Sequence, residues 1–163
     1  MLFLVLSFFC MDVSAATAKI DFVAHTNVSG VKVEGEVTGA KVQYDVKNAS
    51  GAVIAMDVFD LKTGMDTRDE HLREKVFAAK KEGEVKIQFT VKDLKCAEEC
   101  KVTGMLKIKE IEKELEIPVK ANAERTKISG VAQVNLTDFN LKRPSFMGVK
   151  VEESVDINFE IRE

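Results

Sequence analysis

Apolar and polar residues alternate with a period of two along most of this chain. Residues 84–91 place Val85, Ile87, Phe89 and Val91 on one side, against Glu84, Lys86, Gln88 and Thr90 on the other. Residues 114–121 repeat the pattern with Leu115, Ile117, Val119 and Ala121, and residues 154–162 with Val155, Ile157, Phe159 and Ile161. Residues 41–47 (KVQYDVK) do so with Val42, Tyr44 and Val46. Successive side chains of a strand point to opposite faces, so each run predicts a half-buried antiparallel strand. Weaker alternation at 20–24, 31–37, 53–58, 102–108 and 128–136 predicts further strands. Thr38-Gly39, Asn48-Ala49-Ser50-Gly51 and Lys81-Glu82-Gly83 separate the runs with residues suited to tight turns. Pro118 stands inside an alternating run and removes one ladder donor, which predicts an edge or a bulge there.

One segment breaks the rule. In 61–77, LKTGMDTRDEHLREKVF, a strand end leads through Gly64 into a short charged helix at about 66–77. Thr67 and Glu70 match a capping box, and Asp69 and Glu70 favour the positive end of a helix dipole. Leu72 and Val76, four apart, make a short apolar stripe, with Glu70, Arg73 and Glu74 on the polar side. A helix this short must lie against something else to persist. The expectation is an all-β fold: an antiparallel eight-stranded β-barrel carrying one short helix on a flank or end. Closure removes exposed strand edges, and a barrel of that size is filled by its own side chains or holds one small ligand. The inward set is mostly medium aliphatic, with no Trp and a single Tyr, which leaves room for an apolar cavity.

The first eleven residues, MLFLVLSFFCM, are almost wholly apolar and precede Ser14, Ala15 and Ala16. That run is too short to cross a bilayer, which takes about 20 residues, and suits a secretory signal peptide over 1–16. No stable transmembrane anchor is expected after cleavage, and the mature domain is 17–163. A net charge of −3 with both signs interleaved gives no footprint for nucleic acid.

In an exported chain the two remaining cysteines, Cys96 and Cys100, change their meaning. They bracket Ala97-Glu98-Glu99 between two predicted strands, where a short loop brings Cα atoms into disulfide range. A structural bridge is the favoured reading. A redox pair would lack C-x-x-C spacing and a helix N-terminus, and two thiols alone do not complete a zinc site. His25 and His71 lie far apart in sequence, and neither neighbours a metal-ligand pattern. No nucleophile elbow, zinc-protease helix or phosphate-binding glycine loop is present, so no catalytic residue, metal or cofactor is assigned.

Thr63-Gly64-Met65 followed by Arg68-Asp69-Glu70-His71-Leu72, and Gly130-Val131-Ala132-Gln133-Val134-Asn135-Leu136-Thr137-Asp138-Phe139 followed by Gly148-Val149-Lys150-Val151, resemble the YceI family of small secreted proteins. The resemblance implies a lipocalin-like barrel in the periplasm or secreted, enclosing a polyisoprenoid lipid or an isoprenoid quinone. On that reading the tail lies among Phe22, Val42, Tyr44, Ile87, Phe89, Leu106, Ile117, Val119, Ile157 and Phe159. Arg68 and His71 are candidate headgroup contacts, although a helix-docking role competes for both. The lipid is the expected partner, and a homodimer is left open. Two other readings stay in view: a packed envelope barrel that holds a partner on its outer face, and a thiol redox protein using Cys96 and Cys100.

Overall fold

The computed structural model describes residues 16–44 and 51–163. The predicted leader up to residue 15, with Cys10, lies outside the described residues, as do Val46 and most of the Asn48 turn. Nine strands correspond to the nine alternating runs: β1 (Thr17–Thr26), β2 (Lys32–Val37), β3 (Lys41–Tyr44), β4 (Ala52–Asp57), β6 (Lys86–Val91), β7 (Glu99–Ile108), β8 (Ile111–Ala121), β9 (Lys127–Asn135) and β11 (Val149–Arg162). Two-residue strands β5 (Leu61–Lys62) and β10 (Ser145–Phe146) complete the set. β5 is the strand end expected ahead of Gly64, whereas β10 was not read from the sequence, because a pair of residues carries no period.

All pairings are antiparallel, in the order β3-β4-β6-β7-β8-β9-β11-β1-β2-β5, with β10 pairing β11. The sheet curls about its apolar face, and Ile20, Phe22 and Ala24 of β1 share that face with Val102, Leu106 and Ile108 of β7. Among the described residues the ladder ends at β3 and β5. The architecture is the expected antiparallel β-barrel with one short helix, in the form of a curled half-barrel whose main path has ten strands where eight were expected. Pro118 shows one place where the sheet gives way. It pairs with Lys101 of β7, whereas the β8–β9 ladder holds only Val119, Lys120 and Ala121. A residue without an N–H cannot extend that ladder.

The outer face is solvated and charged. Cross-strand ion pairs join Lys101 to Glu116 (2.6 Å), Lys120 to Glu99 (2.6 Å) and Lys127 to Glu160 (3.0 Å). The Lys120 ammonium holds the Glu99 carboxyl below its ordinary range. Contacts of this exposed kind fix register more than they stabilise.

The helix differs from its expected form. α1 (Asp66–His71) is followed by a π-helical turn, Leu72–Val76, so the 66–77 segment is helical but not uniformly α. Met65 occupies the N-cap position, and no side chain caps the helix, so the Thr67–Glu70 box does not form. Asp69 turns inward instead. Its buried carboxylate accepts from both the backbone N–H and the hydroxyl of Thr63. Arg68 donates from Nη2 to the Thr63 carbonyl. Three bonds to one residue lock the helix to the strand end before it. Val76 and Phe77 then bury against Val58, Ala79 and Val85, roofing part of one end of the barrel.

Candidate functional site

The inner face encloses a cavity of about 830 Å³, within the usual range for sites that hold a small molecule. Its walls are aliphatic and aromatic along most of its length. Polar or charged lining residues are Thr26, Thr63, Thr67, Arg68, His71 and Ser145. All six come from one end, where β1 finishes and the helix and the β10–β11 hairpin stand. The opposite end stops at Leu94, which packs with Cys96, Ile117, Ile128 and Tyr44 in one buried cluster.

Three glycines explain why the inside stays open. Gly35 (β2), Gly104 (β7) and Gly130 (β9) share the inward face, and each lies under a phenylalanine ring. An added Cβ would stand 2.2 Å from Phe22 Cζ at Gly35, 2.3 Å from Phe89 Cζ at Gly104 and 2.7 Å from Phe159 Cζ at Gly130. Gly35 and Gly130 are direct cross-strand partners of Phe22 and Phe159. Each ring therefore covers its glycine, which is how aromatics rescue glycine in sheets. Rings held against the wall shield the backbone and leave the axis of the barrel to a ligand. An isolated glycine inside an alternating run was the available sequence signal, but the runs did not reveal which ring would cover it.

Of the ten residues named for the tail, Phe22, Ile87, Phe89, Leu106, Ile117, Val119, Ile157 and Phe159 line the cavity. Val42 and Tyr44 stand elsewhere. Val42, on the edge strand β3, packs against Ile20, Ile54 and Ile161, which line the cavity, but is not itself on the lining. Tyr44 is buried, and its hydroxyl donates to the Arg125 carbonyl at 3.2 Å, tying the sheet edge to the β8–β9 turn. Period-two reading gave their face correctly. It could not show that the cavity ends before β3.

Arg68 and His71 both lie on the lining. His71 is exposed, and Arg68 is half-buried with its Nε–H buried and unbonded among the described residues. His25 is remote, on the outer face against Asp156 Oδ2 at 3.3 Å. Cys96 and Cys100 form a disulfide with Cα atoms 5.6 Å apart. The intervening loop is not a simple hairpin: Cys100 already pairs with Val119 inside β7, and Glu98 has a left-handed backbone (φ 66°). Among the described residues no group of three His, Cys, Asp or Glu could hold a metal, and no helix is long and apolar enough to cross a membrane.

The fold and its bore define a class: a curled antiparallel barrel with an apolar interior open at a polar mouth. The chain belongs to the YceI-like domain family, whose model matches residues 11–162. Solved structures share the fold at low identity. BcnA of Burkholderia cenocepacia is 21% identical, with a TM-score of 0.68 over 88% of this chain and 94% of that one. A polyisoprenoid binding domain from Saccharophagus degradans, implicated in plant cell wall breakdown, is 14% identical, with a TM-score of 0.62 over 90% and 96%. A YceI protein of Campylobacter jejuni is 22% identical, with a TM-score of 0.55 over 83% and 88%. No curated protein matches the chain.

Proposed function

We propose that this protein binds and carries an amphipathic lipid with a long unsaturated tail, a polyisoprenoid or an isoprenoid quinone, outside the cytoplasm. The observation that carries the reading is the segregation of the lining: an apolar bore with polar and charged groups at one end only. A tail lies along the bore and a compact head rests at the mouth. The family, and the likeness to a polyisoprenoid binding domain from Saccharophagus degradans, support the chemical class. The apolar leader over 1–16 supports export to a periplasm.

Magnitudes favour long tails. Burying about 300 Å² of apolar surface gains about 7 kcal/mol, which the cost of association, about 4–15 kcal/mol, can absorb entirely. Only a tail that fills most of the bore leaves a surplus, so affinity rises steeply with prenyl length. Thr63 and His71 border the headgroup, and the free Nε–H of Arg68 is a donor for an oxygen-bearing head such as a carbonyl, hydroxyl or phosphate. Binding of this kind uses no reacting group of the protein.

The test is native mass spectrometry of protein purified from its own envelope, with organic extraction of the same sample. A co-purifying isoprenoid, or uptake of a polyprenol or ubiquinone in a one-to-one complex, is the expected result. A clean apo mass that is unchanged after incubation with both lipids overturns the reading.

A further inference from the structure

The mouth of the bore carries an apolar rim that the fold does not need. Seven large hydrophobic residues are exposed among the described residues, and five of them stand at this end: Val28, Val31, Met65, Phe146 and Met147. Phe146 is 75% exposed and Met147 88%. The two hairpins that present them are held together, since Asn27 donates to the Lys150 carbonyl at 2.9 Å and accepts from the Lys150 amide at 2.7 Å. Met147 is the more telling position. It is the first residue of the two-residue turn closing β10–β11, with φ 48°, ahead of Gly148 with φ 84°. Such a turn favours Asn, Asp or Gly there. A long apolar side chain held in a strained conformation and pointed at solvent breaks a local rule with no gain inside the fold.

Charge identifies what the rim meets. On the hairpin that carries Phe146 and Met147, residues 140–151 contain Lys142, Arg143 and Lys150 and no carboxylate, in a chain whose net charge is −3. Acidic residues close to the rim in sequence include Asp66 after Met65 and Glu152 after Val151. None of the three forms an ion pair among the described residues, although Arg143 also donates from Nε to the Val151 carbonyl. Exposed apolar tips flanked by unpaired cations are the pattern of a protein seated at an anionic lipid interface. The rim is also continuous with the cavity, because Val31, Met65, Phe146 and Met147 line it as well.

We infer that the mouth docks on an anionic bilayer surface, with Phe146 and Met147 entering the headgroup layer, so that the bore opens directly onto membrane lipid. The seat concerns the bilayer and is independent of which lipid fills the bore. A second copy of the chain meeting through the same rim is the competing occupant.

The test is co-sedimentation with vesicles of phosphatidylglycerol and phosphatidylcholine in equal parts, and with phosphatidylcholine alone. Wild-type protein pellets with the anionic vesicles and much less with the neutral ones, and added salt weakens binding. Phe146→Ser combined with Met147→Asn lowers partitioning by at least about tenfold while leaving the melting temperature unchanged or raised, since Asn suits the turn. Lys142→Gln with Lys150→Gln lowers binding to anionic vesicles by about fivefold per charge. Wild-type protein remaining in the supernatant, or the Phe146/Met147 variant binding as tightly as wild type, overturns the inference. So does a concentration-dependent dimer abolished by that variant in the absence of any vesicle binding. Lipid retained in the bore is read separately by extraction, so loss of docking and loss of the carrier reading are told apart.

Discussion

The two ends of this barrel are built from the same alternating strands and behave as opposites. At the closed end, Leu94, Ile117, Ile128 and Tyr44 pack together, Cys96 and Cys100 are bridged, and the Tyr44 hydroxyl reaches across to Arg125. At the mouth, the lining gains threonines, Arg68 and His71, and apolar side chains stand in solvent. The difference shows where a small barrel can keep a hole. One end supplies the packing and cross-links that hold the sheet in shape. The other packs a cluster of its own around Val58, Phe77 and Phe139, and beside it holds a polar lining and a helix latched by three hydrogen bonds.

The first way to break that comparison is at the latch. Asp69→Ala leaves the buried Thr63 N–H without its acceptor, and should cost about 3 kcal/mol in urea unfolding, together with faster ligand release. An unchanged midpoint would mean that Leu72 and Val76 hold the helix unaided. Next comes the closed end. Cys96→Ser with Cys100→Ser opens a short loop, for which the loss should be about 2 kcal/mol by thermal or urea melting, with ligand retention unaltered. Retention lost at unchanged temperature would put the bridge into the function. Gly104→Ala is milder for stability, at about 1 kcal/mol. It lifts the Phe89 ring off the wall and should shift uptake toward shorter or thinner tails in a competition between prenyl lengths. Equal uptake of all lengths would show that the ring does not set the bore.

The smallest effect lies outside the site, in the turn after the helix. Glu84 Oε2 accepts from the Lys80 amide (2.7 Å) and the Lys81 amide (3.2 Å), and these bonds hold its carboxyl below the ordinary glutamate range. A depressed folded value contributes stability above the unfolded pKa, and that stability is lost as pH falls through the folded one. Exchange of the Lys80 and Lys81 amides, corrected for intrinsic rate, should therefore rise only below the unfolded glutamate pKa. A rise beginning near neutrality would contradict the assignment.

The nine long strands were legible because each buries one face, and burial leaves a period of two in the sequence. The inward parity of Ile87, Ile117 and Ile157 followed from the same rule, and the cavity is lined as that parity requires. What did not follow depended on distances between strands. Val42 and Tyr44 have the right parity and the wrong strand, because β3 stands at an edge the cavity does not reach. The Thr67–Glu70 capping box was a sound local pattern, but Asp69 found a better use two bonds deep in Thr63. The strand glycines were visible as breaks in the alternation, while the rings that cover them belong to other strands. Phe146 and Met147 lie outside every alternating run, and their exposure came only from the structure.

The measurement that tests the central claim most directly is methyl NMR of isoleucine-labelled protein loaded with a long polyprenol. The bore predicts intermolecular NOEs from the prenyl chain to Ile20, Ile54, Ile117, Ile128, Ile157 and Ile161, all on the lining, and none to Ile111, which is off it. Contacts confined to Ile111 and other residues off the lining, or no contacts at saturating lipid, would contradict a ligand threaded through the barrel.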